Sequence, residues 1–284
     1  MTDTSIVSHF KRASSINDES LYFFMIKEKK LVKRKLIIIS GIIVVLISII
    51  LVMRTQNKPK IIAHRGASGY KTEHTFQAYD LAKKDTTFLE QDVVLSKDGT
   101  LYVSHDQTPY RLTKREQRPF SELSDKEINH LRTNQTKSSQ SEPIHTLQSV
   151  VNRYKKEVTY VVELKDNKLE TVQTMCRFIQ KNQLQNHIII QSFNLNALKL
   201  MKEDFPNIPM MYLVKDERNF QLGLDNQYVD ILAPNIALLS NERVKAVHRQ
   251  NKEFCVWTAN TAEEIKRATQ YKVDYLFTNY PNKA

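Results

Sequence analysis

The chain has 284 residues, of which 41% are hydrophobic and 26% charged, and a formal net charge of +11. That balance excludes wholesale disorder, and 5 glycines and 8 prolines exclude a collagen-like or linker-dominated chain. Two cysteines, Cys176 and Cys255, cannot build a disulfide framework, lack metal spacing and read as core.

Residues 1–26 carry no motif. Met25 opens a compact unit, basic and then apolar, which makes it a candidate start of translation. Lys27, Lys29, Lys30, Lys33, Arg34 and Lys35 precede the run LIIISGIIVVLISIILVM at 36–53. Only Ser40, Gly41 and Ser48 interrupt that run, and none is charged. As a helix, 18 residues span ~27 Å, close to a hydrocarbon core of ~30 Å. Arg54, Lys58 and Lys60 follow as a thinner basic set. The excess of positive charge before the span places the N-terminus in the cytoplasm and the rest outside. A cleaved signal peptide has a shorter apolar core and a small-residue cleavage site, and Met53-Arg54-Thr55-Gln56 supplies none. The expected layout is a basic cytoplasmic tail (1–35), a transmembrane helix (36–53), a linker (54–59) and a domain over 60–284. Residues 1–60 hold 11 Lys/Arg against 4 Asp/Glu, so +7 of the +11 is local to this region. The basic excess is explained by topology, and no nucleic-acid partner is expected.

From residue 60, short β-rich runs alternate with helical patterns. The runs fall at 60–63, 87–94, 101–104, 158–164, 187–191, 209–214, 229–233, 254–257 and 273–277. Most are continuously apolar, as in strands buried on both faces of a parallel sheet. Helical patterns lie at 75–84, 146–156, 168–182, 194–204, 240–250 and 261–270. Leu95–Thr100 holds a Lys-Asp-Gly turn too short for a parallel crossover, so 101–104 is read as the second arm of a hairpin. Eight strands remain, and the predicted fold class is α/β: a (β/α)8 barrel with a small inserted hairpin and loop region over 107–145. A doubly wound open sheet is the alternative.

Reactive residues cluster at strand ends, where such a barrel builds its active site. His64 and Arg65 close the first strand and His105 the hairpin strand. Glu90 and Asp92, two apart on a strand, point to one face. With Glu163 they give three hard oxygen ligands, the set for Ca²⁺ or Mg²⁺ rather than Zn²⁺. Two imidazoles suit an acid–base pair near neutral pH. Arg65 and Lys165 are cations able to hold a phosphate. The combination points to phosphoester cleavage.

In order along the chain, His64-Arg65-Gly66, Glu73-His74-Thr75, Glu90-Gln91-Asp92, Lys97-Asp98-Gly99, His105-Asp106, Glu163-Leu164-Lys165, Gln191-Ser192-Phe193, Trp257-Thr258-Ala259-Asn260 and Thr278-Asn279-Tyr280-Pro281 resemble the blocks of the glycerophosphodiester phosphodiesterase family. The resemblance covers roughly 60–284 and implies hydrolysis of glycerophosphodiesters to glycerol 3-phosphate and an alcohol. It makes Glu90, Asp92 and Glu163 the ligands of one divalent cation. His64 and His105 become the acid–base pair, with His64 as base. Arg65, Lys165 and Trp257 become phosphate or substrate contacts. Membrane-anchored members resemble the layout seen here, which implies a single-pass protein of the cell membrane with an extracellular catalytic domain. Thr72 and His74 depart from the family's Pro and Asn, and Asn279 from its Asp. Two other functions are weighed: a non-catalytic module binding glycerophosphate polymers, and a lipid phosphodiesterase that gives a cyclic phosphate. The alcohol head group and the oligomeric state are not fixed by the residues.

Overall fold

A computed structural model of the chain describes residues 18–55, 58–136, 138–166 and 168–284; the side chains of 18–22, 24, 25, 28 and 49–55 are outside the description. It divides into two compact units, Met1–Asn57 and Lys58–Ala284. The first holds one helix, α1 (Asp18–Thr55), which contains the apolar run. Both serines of the run donate back into the helix, Ser40 Oγ to Ile37 O and Ser48 Oγ to Val44 O, each at 2.8 Å. Their hydroxyls are thereby satisfied without water. The large apolar side chains from Leu36 to Ile47 are between 49% and 63% exposed on every side of the helix. Among the described residues no helix is long and apolar enough to cross a membrane. The expected span over 36–53 is therefore not borne out there. Its side chains are described only to Ser48, and the 18 residues ending at Ser48 include Lys33, Arg34 and Lys35. Most of the expected tail, residues 1–17, and linker residues 56 and 57 lie outside the described residues.

The second unit is a closed barrel. Its strands are β1 (Lys60–Ala63), β2 (Phe88–Leu95), β3 (Leu101–Val103), β4 (Thr159–Leu164), β5 (Ile188–Ser192), β6 (Met210–Val214), β7 (Ile231–Pro234), β8 (Glu253–Val256) and β9 (Tyr275–Thr278). The order is β1-β9-β8-β7-β6-β5-β4-β2-β3, and a further β1–β2 pairing closes the ring. Every pairing is parallel except β2–β3, where Val93 faces Val103 and Leu95 faces Leu101. Eight parallel strands thus make the barrel and β3 stands beside it, as the nine β-rich runs and the Lys-Asp-Gly turn predict. The open-sheet alternative falls with the closure.

Strand periodicity sorts the side chains. Ile62, Val161, Ile189, Met211, Leu213, Ile231, Ala233, Cys255, Tyr275 and Phe277 fill the barrel interior. Their strand neighbours Ala63, Leu89, Val162, Ile190, Tyr212 and Leu276 pack outward in the larger cluster with the helices. A strand buried on both faces has no polar side, which is why the sequence runs are unbroken.

Helix α2 (Phe76–Ala82) joins β1 to β2, α3 (Tyr110–Thr113) and α4 (Asp125–Asn129) lie in the insertion after β3, α5 (Leu147–Tyr154) leads into β4, and α6 (Leu169–Asn182) and α7 (Leu195–Asp204) follow β4 and β5. The insertion has its own small core, in which Val94 and Tyr102 of the hairpin pack on Phe120, Leu123, Ile128 and Ile144. Glu142 ties it to the barrel by accepting from the Phe76 and Gln77 amides at 2.8 and 3.1 Å. The remaining helices are α8 (Glu217–Leu224), α9 (Asn241–Arg249) and α10 (Ala262–Gln270). Helix α8 has no counterpart in the sequence reading. Its inner face is Phe220 and Gly223, and a Cβ at Gly223 would stand 2.4 Å from Leu232 and 2.5 Å from Tyr212. Close packing on the sheet requires the glycine, and the glycine hides the helix from a periodicity argument.

Candidate active site

The interior positions at the C-terminal ends of the strands are where apolar residues stop. Glu90 and Asp92 continue the inward face of Phe88, and Glu163 continues that of Val161. Asp92 lies beside Glu163 in the β2–β4 register. The three carboxylates are buried and each offers an oxygen within 4.8 Å of the others. Gln191 takes the next interior position, on β5, and its Nε2 donates to Glu90 Oε1 at 3.2 Å. Its own Oε1 is buried without a hydrogen-bond partner.

Two cations enter the trio. Lys165 Nζ sits 2.9 Å from Glu163 Oε1 and 3.5 Å from Asp92 Oδ1. Arg65 Nε is 3.2 Å from Asp92 Oδ2, and its Nη1 is 3.1 Å from Glu73. Arg65 adopts a positive φ of 58°, which turns its backbone N–H onto Glu90 Oε2 at 2.7 Å. Gly66 follows at φ 80°, where a Cβ would also meet Ala78 at 2.8 Å. Only glycine suits that turn.

Crowding separates the acids. Burial and the Asp92 charge push Glu90 well above the usual carboxylate range. The same two causes push Glu163 up to about 8, against the pull of Lys165. Burial would raise Asp92 as well, but the His74 hydrogen bond and the Lys165 charge hold it well below its ordinary value. Like charges at this spacing favour a proton or a cation between them.

His64 follows β1 and His105 follows β3, and both line one cavity of about 70 Å³ with Arg65, Glu90, Glu163 and Trp257. His64 Nδ1 is 2.7 Å from Asn279 Oδ1, and His105 Nδ1 is 2.7 Å from Asp106 Oδ1. Burial and the neighbouring Arg65 charge lower His64 to about 4. Burial, then Lys165 and Arg65, also lower His105, while Asp106 opposes them. Trp257 donates its Nε1–H to Ala233 O at 2.7 Å and packs edge-on against Phe193, forming an aromatic wall.

All eight residues named from the sequence therefore meet at one end of the barrel. Others join them to which the sequence assigns no role. Buried His74 joins Asp92 at 3.1 Å through Nε2 and accepts from the Tyr79 hydroxyl at 2.8 Å through Nδ1. The sequence reading places it merely near the site, although its position between Glu73 and Thr75 was a signal. Glu73 bridges Arg65 and Arg111, and those two guanidiniums help bring its carboxyl down to about 2 even though burial opposes them. Arg111 also binds Asp106, and nothing in the polar insertion marks it beforehand.

The trio fits a hard divalent cation on this geometry: three buried oxygens converge, and the repulsion that raises Glu90 and Glu163 is relieved by positive charge. Cations beside the acids, and an imidazole at each side of one cavity, suit an anionic ester at which one oxygen gives up a proton and another receives one. A (β/α)8 hydrolase of phosphoric diesters is the class that this fold and this site define.

Comparison with known proteins narrows the class. The model of the glycerophosphoryl diester phosphodiesterase family matches residues 64–283, and the chain belongs to that family. It is 26% identical over 248 residues to a glycerophosphodiester phosphodiesterase of Bacillus subtilis, spanning 78% of this chain and 83% of that one. A namesake from Bacillus altitudinis is 26% identical over 242 residues, 79% of this chain and 96% of the relative. Among solved structures, an Oleispira antarctica phosphodiesterase in complex with the product sn-glycerol-3-phosphate aligns with a TM-score of 0.72 at 24% identity, covering 80% of this chain and 95% of that one. A glycerophosphodiester phosphodiesterase from Agrobacterium tumefaciens aligns at 0.69 and 20% identity, covering 79% and 98%. Membership of an enzyme family sets aside the binding-only reading.

Proposed function

We propose that the chain hydrolyses glycerophosphodiesters to glycerol 3-phosphate and an alcohol, using one divalent cation, Ca²⁺ or Mg²⁺, held by Glu90, Asp92 and Glu163. The observation that carries this reading is the convergence of three buried carboxylates on one cavity with Arg65, Lys165 and both histidines. When bound, the cation offsets charge on the phosphate oxygens. Arg65 and Lys165 orient those oxygens, and the Trp257 wall confines the remainder of the substrate. His64, neutral near pH 7, takes the proton from the attacking oxygen as its bond to phosphorus forms. His105 returns a proton to the alcohol oxygen as the second P–O bond breaks. The attacking oxygen is water in direct hydrolysis; if it is the glycerol 2-hydroxyl, a cyclic phosphate forms first and water then opens it.

The proposal extends to location. The uncharged apolar run at 36–53 and its preceding basic cluster support a single-pass anchor, with the N-terminus cytoplasmic and the barrel outside the cell membrane. The all-round exposure of Leu36 to Ile47 favours lipid as their surroundings, since a water-facing helix needs a polar side.

The test uses the full chain in detergent, stripped of metal and offered a panel of glycerophosphodiesters. Glycerol 3-phosphate release that requires Ca²⁺ or Mg²⁺ and disappears in His64→Ala and Glu90→Ala is the expected result. Absence of release from every panel member by folded, metal-loaded protein would overturn the reading. A cyclic phosphate as the final product by phosphorus NMR would move it to the lipid-cleaving chemistry. Protease protection of intact cells decides the side: degradation of the barrel from outside is expected.

A further inference from the structure

We propose that Asn279 is a positioning residue that locks His64 as the Nδ1–H tautomer, which leaves Nε2 as the atom that accepts a proton in the cavity. The inference rests on the acid–base reading above and deepens it. Asn279 stands directly after β9, whose last residue, Thr278, pairs with Ala63, the residue before His64. Its backbone N–H is fixed by Asn260 Oδ1 at 2.8 Å. Its side-chain Oδ1 is 2.7 Å from His64 Nδ1, and the Ser68 hydroxyl lies 3.0 Å from the same oxygen. The single Ser68 hydrogen is shared between that oxygen and the His64 carbonyl oxygen, both of them acceptors, so the ring nitrogen facing Asn279 Oδ1 at 2.7 Å is the donor of that contact. Nδ1 then carries the hydrogen, and Nε2 keeps its lone pair in the ring that lines the cavity. The backbone is held as well, because the same Ser68 hydroxyl is 2.7 Å from the His64 carbonyl oxygen.

The other histidine has a different partner. Asp106 only accepts, so His105 is also an Nδ1–H tautomer, but its partner carries a negative charge and anchors on Arg111. A carboxylate supports the doubly protonated ring that must donate to the leaving alcohol. An amide orients a ring without adding charge, which suits the one that must accept. Charged groups facing His64 are Arg65 beside it and Asp92 and Glu73 across the cavity rim; none takes its Nδ1.

The opposite amide orientation would present the Asn279 NH₂ to His64 and force the Nε2–H tautomer, which cannot act as a base toward the cavity. The two arrangements are separated by ¹⁵N NMR of the full chain in detergent, ring-labelled at histidine and saturated with Mg²⁺, with His64 assigned by its loss in His64→Gln. An Nδ1–H ring in the wild type is expected. Asn279→Asp, which can only accept, should keep that tautomer, and Asn279→Ala should mix the two. With the lock gone, Asn279→Ala should lose about 10- to 100-fold in kcat with KM moved less than about threefold, and Asn279→Asp should recover most of it at pH 8. An Nε2–H ring in the wild type overturns the proposal. So does Asn279→Ala with an unchanged tautomer or unchanged kcat. The tautomer is read without turnover: an inert wild type with an Nδ1–H ring would fell the base role of His64 and leave the Asn279 contact upheld.

Discussion

Replacing Glu163 by Gln should make the chelated protein more stable at pH 8 and the metal-loaded protein less so. Glu163 sits in the native state at about 8, raised from 4.5 by burial and by Asp92. An acid whose folded pKa is raised keeps its proton in the native state while the unfolded chain has released its own. Stability is therefore unaffected below pH 4.5, falls by up to ~1.4 kcal/mol per pH unit between 4.5 and 8, and stays down above 8. Integrated over that window, the loss is roughly 5 kcal/mol at most. A Coulomb estimate agrees in scale: carboxylate oxygens within 4.8 Å of one another repel by ~3 kcal/mol or more at an effective dielectric near 20, and Lys165 at 2.9 Å offsets part of it. A gain of about 2–5 kcal/mol for Glu163→Gln in chelator at pH 8 is expected, shrinking to under about 1 kcal/mol at pH 5. A cation at ~1,000 times its Kd adds about 4 kcal/mol to the wild type. The variant, with one ligand oxygen uncharged, should gain far less, so the order of stabilities reverses on adding metal. Urea unfolding followed by the fluorescence of Trp257, the chain's single tryptophan, reads the barrel directly. A chelated variant less stable than wild type at pH 8, or a gap of equal size at pH 5, would refute the electrostatic reasoning.

Metal affinity should carry the same proton. Binding needs Glu163 ionised, so isothermal titration should show Kd for Mg²⁺ or Ca²⁺ weakening as pH falls from 8 towards 5, with a slope that approaches about tenfold per unit below pH 7. His105→Ala should lower kcat by about 10²–10⁴ with little change in the urea midpoint, because the side chain lies at the cavity wall and its loss removes the proton donor rather than packing. Gly69→Ala should destabilise the barrel by about 1–3 kcal/mol, since a Cβ there falls 2.2 Å from the Tyr280 ring; Gly69→Ala combined with Tyr280→Ala should recover part of the loss in the same unfolding assay.

What the sequence makes legible follows from which interactions are local. The barrel strands are readable because both faces of each are buried, so composition alone marks them. Glu90 and Asp92 are readable as a pair because two residues on a strand share a face whatever surrounds them. The pairings that complete the site are not local. Asn279 reaches His64 across 215 residues, and Arg111 reaches Glu73 across 38 from an insertion with no periodicity of its own. Only the pairing of β9 with β1 brings Asn279 to its histidine. His74 illustrates the intermediate case. It is 18 residues from Asp92, close enough to suspect, but a positive φ of 58° is what turns it inward, and no residue type announces that.

Charge balance explains why these acids tolerate the top of an otherwise apolar barrel. Three carboxylates face two cations, and Arg65 is shared with Glu73, which is itself held by Arg111. The trio is thus left with between one and two negative charges uncompensated, in a place where an unpaired charge is costly. The strand ends cannot supply another cation, because every neighbouring interior position is apolar or amide: Phe277, Leu213 and Gln191. A proton on Glu163 closes part of that deficit and a divalent ion closes all of it, leaving a small positive excess for the phosphodiester that follows. On this view Lys165 and Arg65 do two things with one charge each. They keep Asp92 ionised before the cation arrives, and they face the phosphate afterwards. Lys165→Met should accordingly weaken substrate binding and, by leaving Asp92 less well balanced, strengthen the cation's hold on the trio. Lower KM and weaker metal binding in that variant would show that the lysine serves neither purpose.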